Sequence, residues 1–562
     1  MKYLLFPLLT LFSLIVSCSQ KQDADLLVYN GSIYTVDSSF SIVEALVVKN
    51  GKIVAVGKLT DLEKKYNAKE KLDAQGKFIY PGFIDAHAHF VGYGMSLQTV
   101  NLVGTNSWEE ILKKLQSFAV ENLPAGQAGK EGWLTGRGWD QNDWVIKEFP
   151  TNEKLNELFP DQPVLLTRVD GHAAIANQKA LEEAGVKAGM QLTGGDVETK
   201  NGKLTGILID NAIDLVSSKI PSKTDEQFAK ALKDAEKNCF AVGLTSIDDC
   251  GLSFQAVEGI KAMQASGDLK MRLYVMLSDE KANFDWLEKT GIIKTDRLNV
   301  RSFKVYGDGA LGSRGACLLQ PYSDKPGHYG FLLSKPDHFD SVANWIAQKG
   351  FQLCTHAIGD SGSRTMLNIY AKYLTGKNDR RWRIEHAQVV NQNDFNLFGS
   401  YSIIPSVQPT HATSDMYWAG DRLGSERVKA AYAYKQLLQQ NGWLPLGTDF
   451  PVEDISPFKT FYAAVIRKPA SPAGRDAKGW PATGYQTENA LTREEALRGM
   501  TIWAAKSNFE EKEKGSLEPG KFADFIILDK DLMKASESEL LQVNVLKTFL
   551  GGEMVYEVKS HK

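Results

Sequence analysis

Pro81-Gly82-Phe83-Ile84-Asp85-Ala86-His87-Ala88-His89 is an apolar run that ends in two histidines. Read as a strand, it projects residues two apart to the same side, so His87 and His89 can grip one ion together. The arrangement recurs along the chain. Lys304, His356, His386 and Asp449 each close an apolar run of their own. Borderline-soft metals take imidazole and oxygen ligands, and parallel-barrel enzymes collect such groups at the C-terminal ends of their strands.

Working outward, the chain from Pro81 to about Ala505 alternates apolar strands with helical stretches, as buried parallel strands joined by crossovers do. The expected strands are Phe83–Asp85, Leu244–Ile247, Met271–Leu277, Phe303–Tyr306, Phe351–Cys354, Trp382–Ile384, Ile403–Val407 and Leu444–Leu446. Eight is the number that closes an α/β (β/α)8 TIM barrel, here assigned to residues 81–507. The gap after the first strand is too long for one crossover helix. Residues 105–235 therefore read as an insertion from which a lid would cover the active face, and it carries the aromatic run Trp133 to Trp144.

Both chain ends are β-rich. Asn30-Gly31 and Asn50-Gly51 sit between alternating apolar residues, the strongest short hairpin cue. Neither end has enough strands to bury a sheet alone, so residues 26–80 and 508–560 are expected to pair as one small β-sandwich domain.

At 562 residues and 43% hydrophobic, the chain can bury a large core. Its 65 basic and 68 acidic residues leave a net charge of −3, with no broad basic field for nucleic acid. A small neutral or mildly charged substrate fits better. Met1-Lys2 followed by an apolar stretch to Val16 has the order of an export signal, assigned to 1–17, and Ile15-Val16-Ser17-Cys18 resembles the lipobox of bacterial lipoproteins. Lipidation at Cys18, a tether over 18–25 and a place on an envelope membrane follow as expectations, against an ordinary signal ending nearby. Cys239, Cys250, Cys317 and Cys354 are too dispersed for a disulfide framework and read as core thiols.

The segment around His87 and His89 closely resembles the first-strand signature of the amidohydrolase superfamily, and the likeness continues in order. Phe303-Lys304-Val305-Tyr306-Gly307-Asp308-Gly309 resembles the fourth-strand segment, Cys354-Thr355-His356 the fifth, Arg383-Ile384-Glu385-His386 the sixth and Gly447-Thr448-Asp449 the eighth. The long insertion, the run DGALGSRGA and Ser406-Val407-Gln408-Pro409-Thr410-His411 narrow it to the amidohydrolase 3 group, which includes N-substituted formamide deformylases.

The resemblance implies a divalent-metal centre, two Zn ions or Fe or Mn, held by His87, His89, Lys304, His356, His386 and Asp449. It implies that Lys304 is carboxylated, since an ammonium has no lone pair for a cation and a carbamate has two anionic oxygens; a lysine merely paired with Asp308 is the other reading. By strand alternation Cys354 should lie in the barrel interior and Glu385 should face the helices. The reaction implied is hydrolysis of a non-peptide C–N bond in an amide, N-acyl or N-formyl amine by metal-activated hydroxide, Asp449 carrying the proton. Alternatives are a cyclic amidase or deaminase of the superfamily, or a non-catalytic ligand-binding surface lipoprotein.

His172 and His411 could hold the carbonyl oxygen or be ordinary loop histidines. Arg314 could clamp a carboxylate or fasten the glycine loop. Trp139, with Trp133 and Trp144, could line a substrate pocket or pack within the insertion, and Asp308 could reach substrate. Partners expected are a small amide and the membrane, with room for a homodimer and none for nucleic acid.

Overall fold

The computed structural model describes residues 21–122, 132–470 and 484–559. The expected signal peptide and Cys18 lie outside the described residues.

Seven parallel strands stand side by side in chain order. They are β1 (Phe83–Ala88), β2 (Leu244–Leu252), β3 (Arg272–Ser278), β4 (Leu298–Tyr306), β5 (Gln352–Ala357), β6 (Arg383–His386) and β7 (Ile404–Ser406). The eighth place is taken by residues 444–449, which are too irregular to form a ladder. They still close the ring: Gly447 N donates to Val407 O at 3.1 Å on one side, and Ala86 N to Leu446 O at 3.1 Å on the other. A Cβ on Gly447 would stand 2.6 Å from His87 N, so only glycine lets this segment press against β1. Asp85 seals the seam by accepting from Thr448 Oγ1 at 2.7 Å and from Thr448 N at 3.0 Å. The result is a nearly closed TIM barrel.

The crossover into β2 is the helix Asp225–Ala241. Thr224 and Gln227 cap it reciprocally, and Ala231, Leu232, Ala235, Cys239 and Phe240 form its buried stripe. The inserted unit therefore ends before this helix rather than at 235, and it begins at Val100. Its six strands run in the order Gly195–Lys200, Lys203–Asp210, Ala173–Ala176, Val164–Arg168, Leu134–Trp139, Val100–Asn101. Neighbouring residues feed opposite faces: Leu166 joins Ile111, Leu115 and Trp139, whereas Leu165 joins Leu181, Leu208 and Val216.

The two chain ends do pair, Phe78–Pro81 lying antiparallel to Phe525–Leu528. That mixed sheet faces the sheet containing Gln22–Tyr29 and Ala45–Lys49 across a core of Leu26, Val28, Leu46, Ile79, Phe525 and Phe549. Three expectations are corrected here. Asn50-Gly51 turns a hairpin between Ala45–Lys49 and Lys52–Gly57, but Asn30-Gly31 does not, because the strands on either side of it enter different sheets. The expected tether is shorter, since Gln22, Asp23 and Ala24 already pair with Tyr66, Asn67 and Ala68 in a parallel ladder. Asn508 belongs beneath the barrel, where it meets Asp248 and Arg383. Among the described residues no helix is long and apolar enough to cross a membrane, and the four described cysteines are free.

Candidate metal centre

At the C-terminal rim of the barrel, three histidines have their ring orientation fixed by a partner on Nδ1. His87 Nδ1 meets Glu385 Oε2 at 2.6 Å, His89 Nδ1 meets Cys250 O at 3.1 Å, and His386 Nδ1 meets Gln408 Oε1 at 2.8 Å. With the proton on Nδ1, each ring keeps its Nε2 lone pair for an ion. Burial holds His87, His356 and His386 neutral, His87 down to about 4, and a neutral imidazole is the form that binds metal.

Asp449 lies among these rings. Its Oδ1 is 3.3 Å from His89 Nε2 and 3.6 Å from His87 Nε2, and its Oδ2 is 3.4 Å from His411 Nε2. Burial opposes ionisation, but His411 and His89 outweigh it and hold the carboxyl well below the usual range. Against the same burial, Asp449 draws the His411 pKa up to about 9. Two sets, His87/His89/Asp449 and His386/His411/Asp449, each bring their donor atoms within 4.8 Å of one another.

The fit to a cation shows in what is left over. Asp449 Oδ1 is buried and makes no hydrogen bond, a costly state unless a ligand completes it. Lys304 is fully buried with its Nζ 3.1 Å from His87 Nε2, and among the described residues no carboxylate reaches ion-pair distance of it. The alternative of a Lys304–Asp308 pair is thus not what forms. His356 packs between His386 and His172, with ring centroids at 4.6 and 4.9 Å, and its Nε2 lies 3.4 Å from Gly309 O.

The rim opens into a cleft of about 770 Å³ lined by residues of both barrel and insertion, among them Arg137, His172, Tyr306 and Trp418. His172 Nδ1 meets Asp210 Oδ1 at 2.5 Å, and Asp210 raises its pKa despite burial. Part of the glycine-rich run is explained by Asp210: a Cβ on Gly309 or Gly315 would stand 2.4 or 2.3 Å from its Oδ2.

Three residues expected at the substrate stand elsewhere. Trp139 is fully buried, its Nε1 donating to Leu166 O at 2.9 Å, because it belongs to the insertion core. Asp308 spends its carboxylate on the backbone N–H groups of Cys317, Ile358 and Gly359, at 2.8 to 2.9 Å. Arg314 pairs with Asp324 at 2.8 Å and fastens its own loop. Glu385 is the reverse case. It faces inward beside His87, not toward the helices, and a left-handed backbone at His386 (φ 72°) breaks the alternation so that both neighbours turn to the interior. Gln408 carries no sequence signal beyond lying in the quoted Ser406–His411 motif, Asp210 lies in no quoted motif, and strand parity misdirects Glu385.

With this geometry in view, the comparisons are specific. An amidohydrolase family model (Amidohydro_3) matches residues 70–556. The Arabidopsis thaliana protein LONG AFTER FAR-RED 3 is 33% identical over 95% of this chain and 92% of its own length, and the N-substituted formamide deformylase of Arthrobacter pascens is 26% identical over 95% and 99%. Among solved structures, an uncharacterised metal-dependent hydrolase from Pyrococcus horikoshii superposes with a TM-score of 0.72 at 29% identity, covering 91% of this chain and 99% of that one. The chain belongs to the amidohydrolase family. It is a metal-dependent hydrolase, and its rim carries two His/Asp groups able to hold a divalent ion.

Proposed function

We propose that this enzyme hydrolyses a non-peptide C–N bond, that of an N-formyl or longer N-acyl amine. The bond class is supported by the likeness to an N-substituted formamide deformylase. The observation that carries the hydrolytic reading is Asp449, a buried carboxylate with one oxygen open toward two histidines and the other beside a third.

The ligand set proposed is His87, His89, Lys304, His356, His386 and Asp449, with two zinc-like ions and Lys304 carboxylated. Support for that modification is the burial of an amine against His87 with, among the described residues, no carboxylate at ion-pair distance. A divalent ion held there supplies Lewis-acid polarisation of the scissile carbonyl and acidifies water enough to give a nucleophile near neutral pH. Asp449 orients that water, accepts its proton and returns it to the nitrogen, which then leaves as an amine rather than an amide anion. Glu385, Gln408 and the Cys250 carbonyl keep the three rings in their tautomers throughout. His411, which stacks on His386, and His172, which packs on His356, would donate to the carbonyl oxygen as it gains charge.

On the N-terminal sequence alone, the proposal includes a lipid anchor at Cys18 and an envelope location. Metal analysis of the purified protein, followed by a panel of N-formyl, N-acetyl and longer N-acyl amines, tests the core reading. About two ions per chain and turnover of at least one panel member are expected. Bound metal with a flat response across the panel would overturn it in favour of a cyclic amide or a deaminase substrate.

A further inference from the structure

The cleft contains a guanidinium with no carboxylate of its own. Arg137 lies on the insertion strand Leu134–Trp139, and its Nη2 donates to Val169 O at 3.0 Å. Its Nε is buried and makes no hydrogen bond, and among the described residues no acid reaches ion-pair distance. Arg168, on the neighbouring strand of the same cleft, is the opposite case. It is held by Asp140, by Asp170 at 2.5 Å and by Gln141 at 2.8 Å, so its donors are committed.

The fold exposes Arg137 deliberately. Leu134 and Trp139 are five residues apart, which in a regular strand would send them to opposite faces, yet both lie in one core. A bulge at Gly138 (φ 112°) reconciles them. It returns Trp139 to the core and leaves Arg137 lining the cleft. No side chain fits at Gly138, where a Cβ would stand 2.5 Å from Val103 Cγ2. The guanidinium then lies alongside Gly171, its Nη atoms 3.5 Å from the place a Cβ would occupy there, one residue before His172. Arg137 lines the same cleft as His172, Tyr306 and Asp449, so it shares the space into which the rim opens.

We propose that Arg137 binds a carboxylate on the substrate, so that the amide cleaved is an N-formyl or N-acyl amino acid rather than a simple N-alkyl amide. A carboxylate can take two parallel N–H bonds from a guanidinium, which fixes direction as well as position. It would orient the scissile carbonyl toward the rim while the charge of the substrate neutralises Arg137. The reaction balances as hydrolysis: water adds its oxygen to the acyl carbon, the C–N bond breaks, and the amino acid departs with the transferred proton. This inference rests on the hydrolase reading for turnover but not for binding.

Two matched ligands isolate the carboxylate: N-formylphenylalanine and N-formyl-2-phenylethylamine. With metal-loaded enzyme, kcat/KM is expected to favour the acid by about 30-fold or more, and Arg137→Gln to lower that ratio by a similar factor while Arg137→Lys restores part of it. Calorimetry of chelator-treated protein with N-formylphenylalanine should show binding that Arg137→Gln weakens about tenfold or more. Equal use of the two ligands by the unmodified enzyme overturns the proposal and leaves the hydrolase reading standing. A loss in Arg137→Gln that falls equally on both ligands also overturns it, since a structural role does that. Arg137-dependent binding without turnover of any amide upholds it and sinks the hydrolase reading instead.

Discussion

Asp248 and Asp449 are both buried carboxylates inside one barrel, and they are held in opposite ways. Asp248, low in the barrel, has each oxygen engaged: Arg383 Nη1 at 2.9 Å on one, Asn508 Nδ2 at 2.5 Å on the other. Asp449, at the rim, leaves Oδ1 without a hydrogen bond, 3.3 and 3.6 Å from the Nε2 atoms of His89 and His87. Desolvation raises both. At Asp248 it prevails over Arg383 and takes the pKa up to about 6, whereas at Asp449 the surrounding imidazoles win. A buried acid whose partners are all protein holds the fold together, and one left incomplete in a ring of ligands is a place for something else.

The comparison breaks most visibly at Asp449. Asp449→Asn keeps the volume and removes the charge and proton-accepting power, so kcat/KM should fall about 10³-fold or more, with the melting curve close to that of the parent. Chelation should give a loss of similar size that returns on adding zinc or manganese. Retention of a tenth of the activity by Asp449→Asn would show that the open oxygen is not the working one.

Arg383→Met attacks the satisfied acid. Removing one partner of a buried pair leaves an uncompensated charge and costs about 3–5 kcal/mol. Denaturant unfolding should show that cost, and the fraction that remains folded should still bind metal. An unchanged midpoint would mean that Asp248 and Asn508 suffice without the guanidinium.

Glu385 sits between these two cases, bonded to His87 on one side and 3.8 Å from Arg383 on the other. Glu385→Gln weakens the hold on His87 without emptying the space, so metal affinity should drop about 10- to 100-fold. Competition with a calibrated chelator measures it. No change in affinity would mean that the orientation of His87 is set by backbone alone.

Much of this centre was legible because the residues that carry it differ chemically from the strands they end. A lysine directly after Phe303, or a histidine closing the run Leu353-Cys354-Thr355, has no packing reason to be there, and the order of such ends along the chain gives the barrel. What escaped depends on backbone detail that no periodicity encodes. The positive φ at His386 turned Glu385 inward against strand parity, and the bulge at Gly138 turned Trp139 into the insertion core, away from the cleft that Arg137 lines. Asn30-Gly31 looked like a hairpin because local pattern cannot tell a turn that returns along its own sheet from one that crosses to another. Asp308 was misjudged because the backbone N–H groups that claim it come from Cys317, Ile358 and Gly359, two of them about fifty residues away.

The smallest effect is expected where the same chemistry as the Arg383–Asp248 pair meets solvent. Arg314 and Asp324 form a bridge at 2.8 Å, but their side chains are 24% and 22% exposed. Water screens such a pair and already solvates both partners when they separate, so Arg314→Ala should cost about 0.2–1 kcal/mol. Asp324 keeps a second guanidinium, Arg422, which limits the loss further. The same variant settles the two roles open to this arginine: a loop fastener leaves kcat/KM within about twofold, whereas a substrate clamp would raise KM tenfold or more. A large rise in KM with little loss of stability would place Arg314 in the cleft after all, and would mean that a surface ion pair had concealed a binding residue.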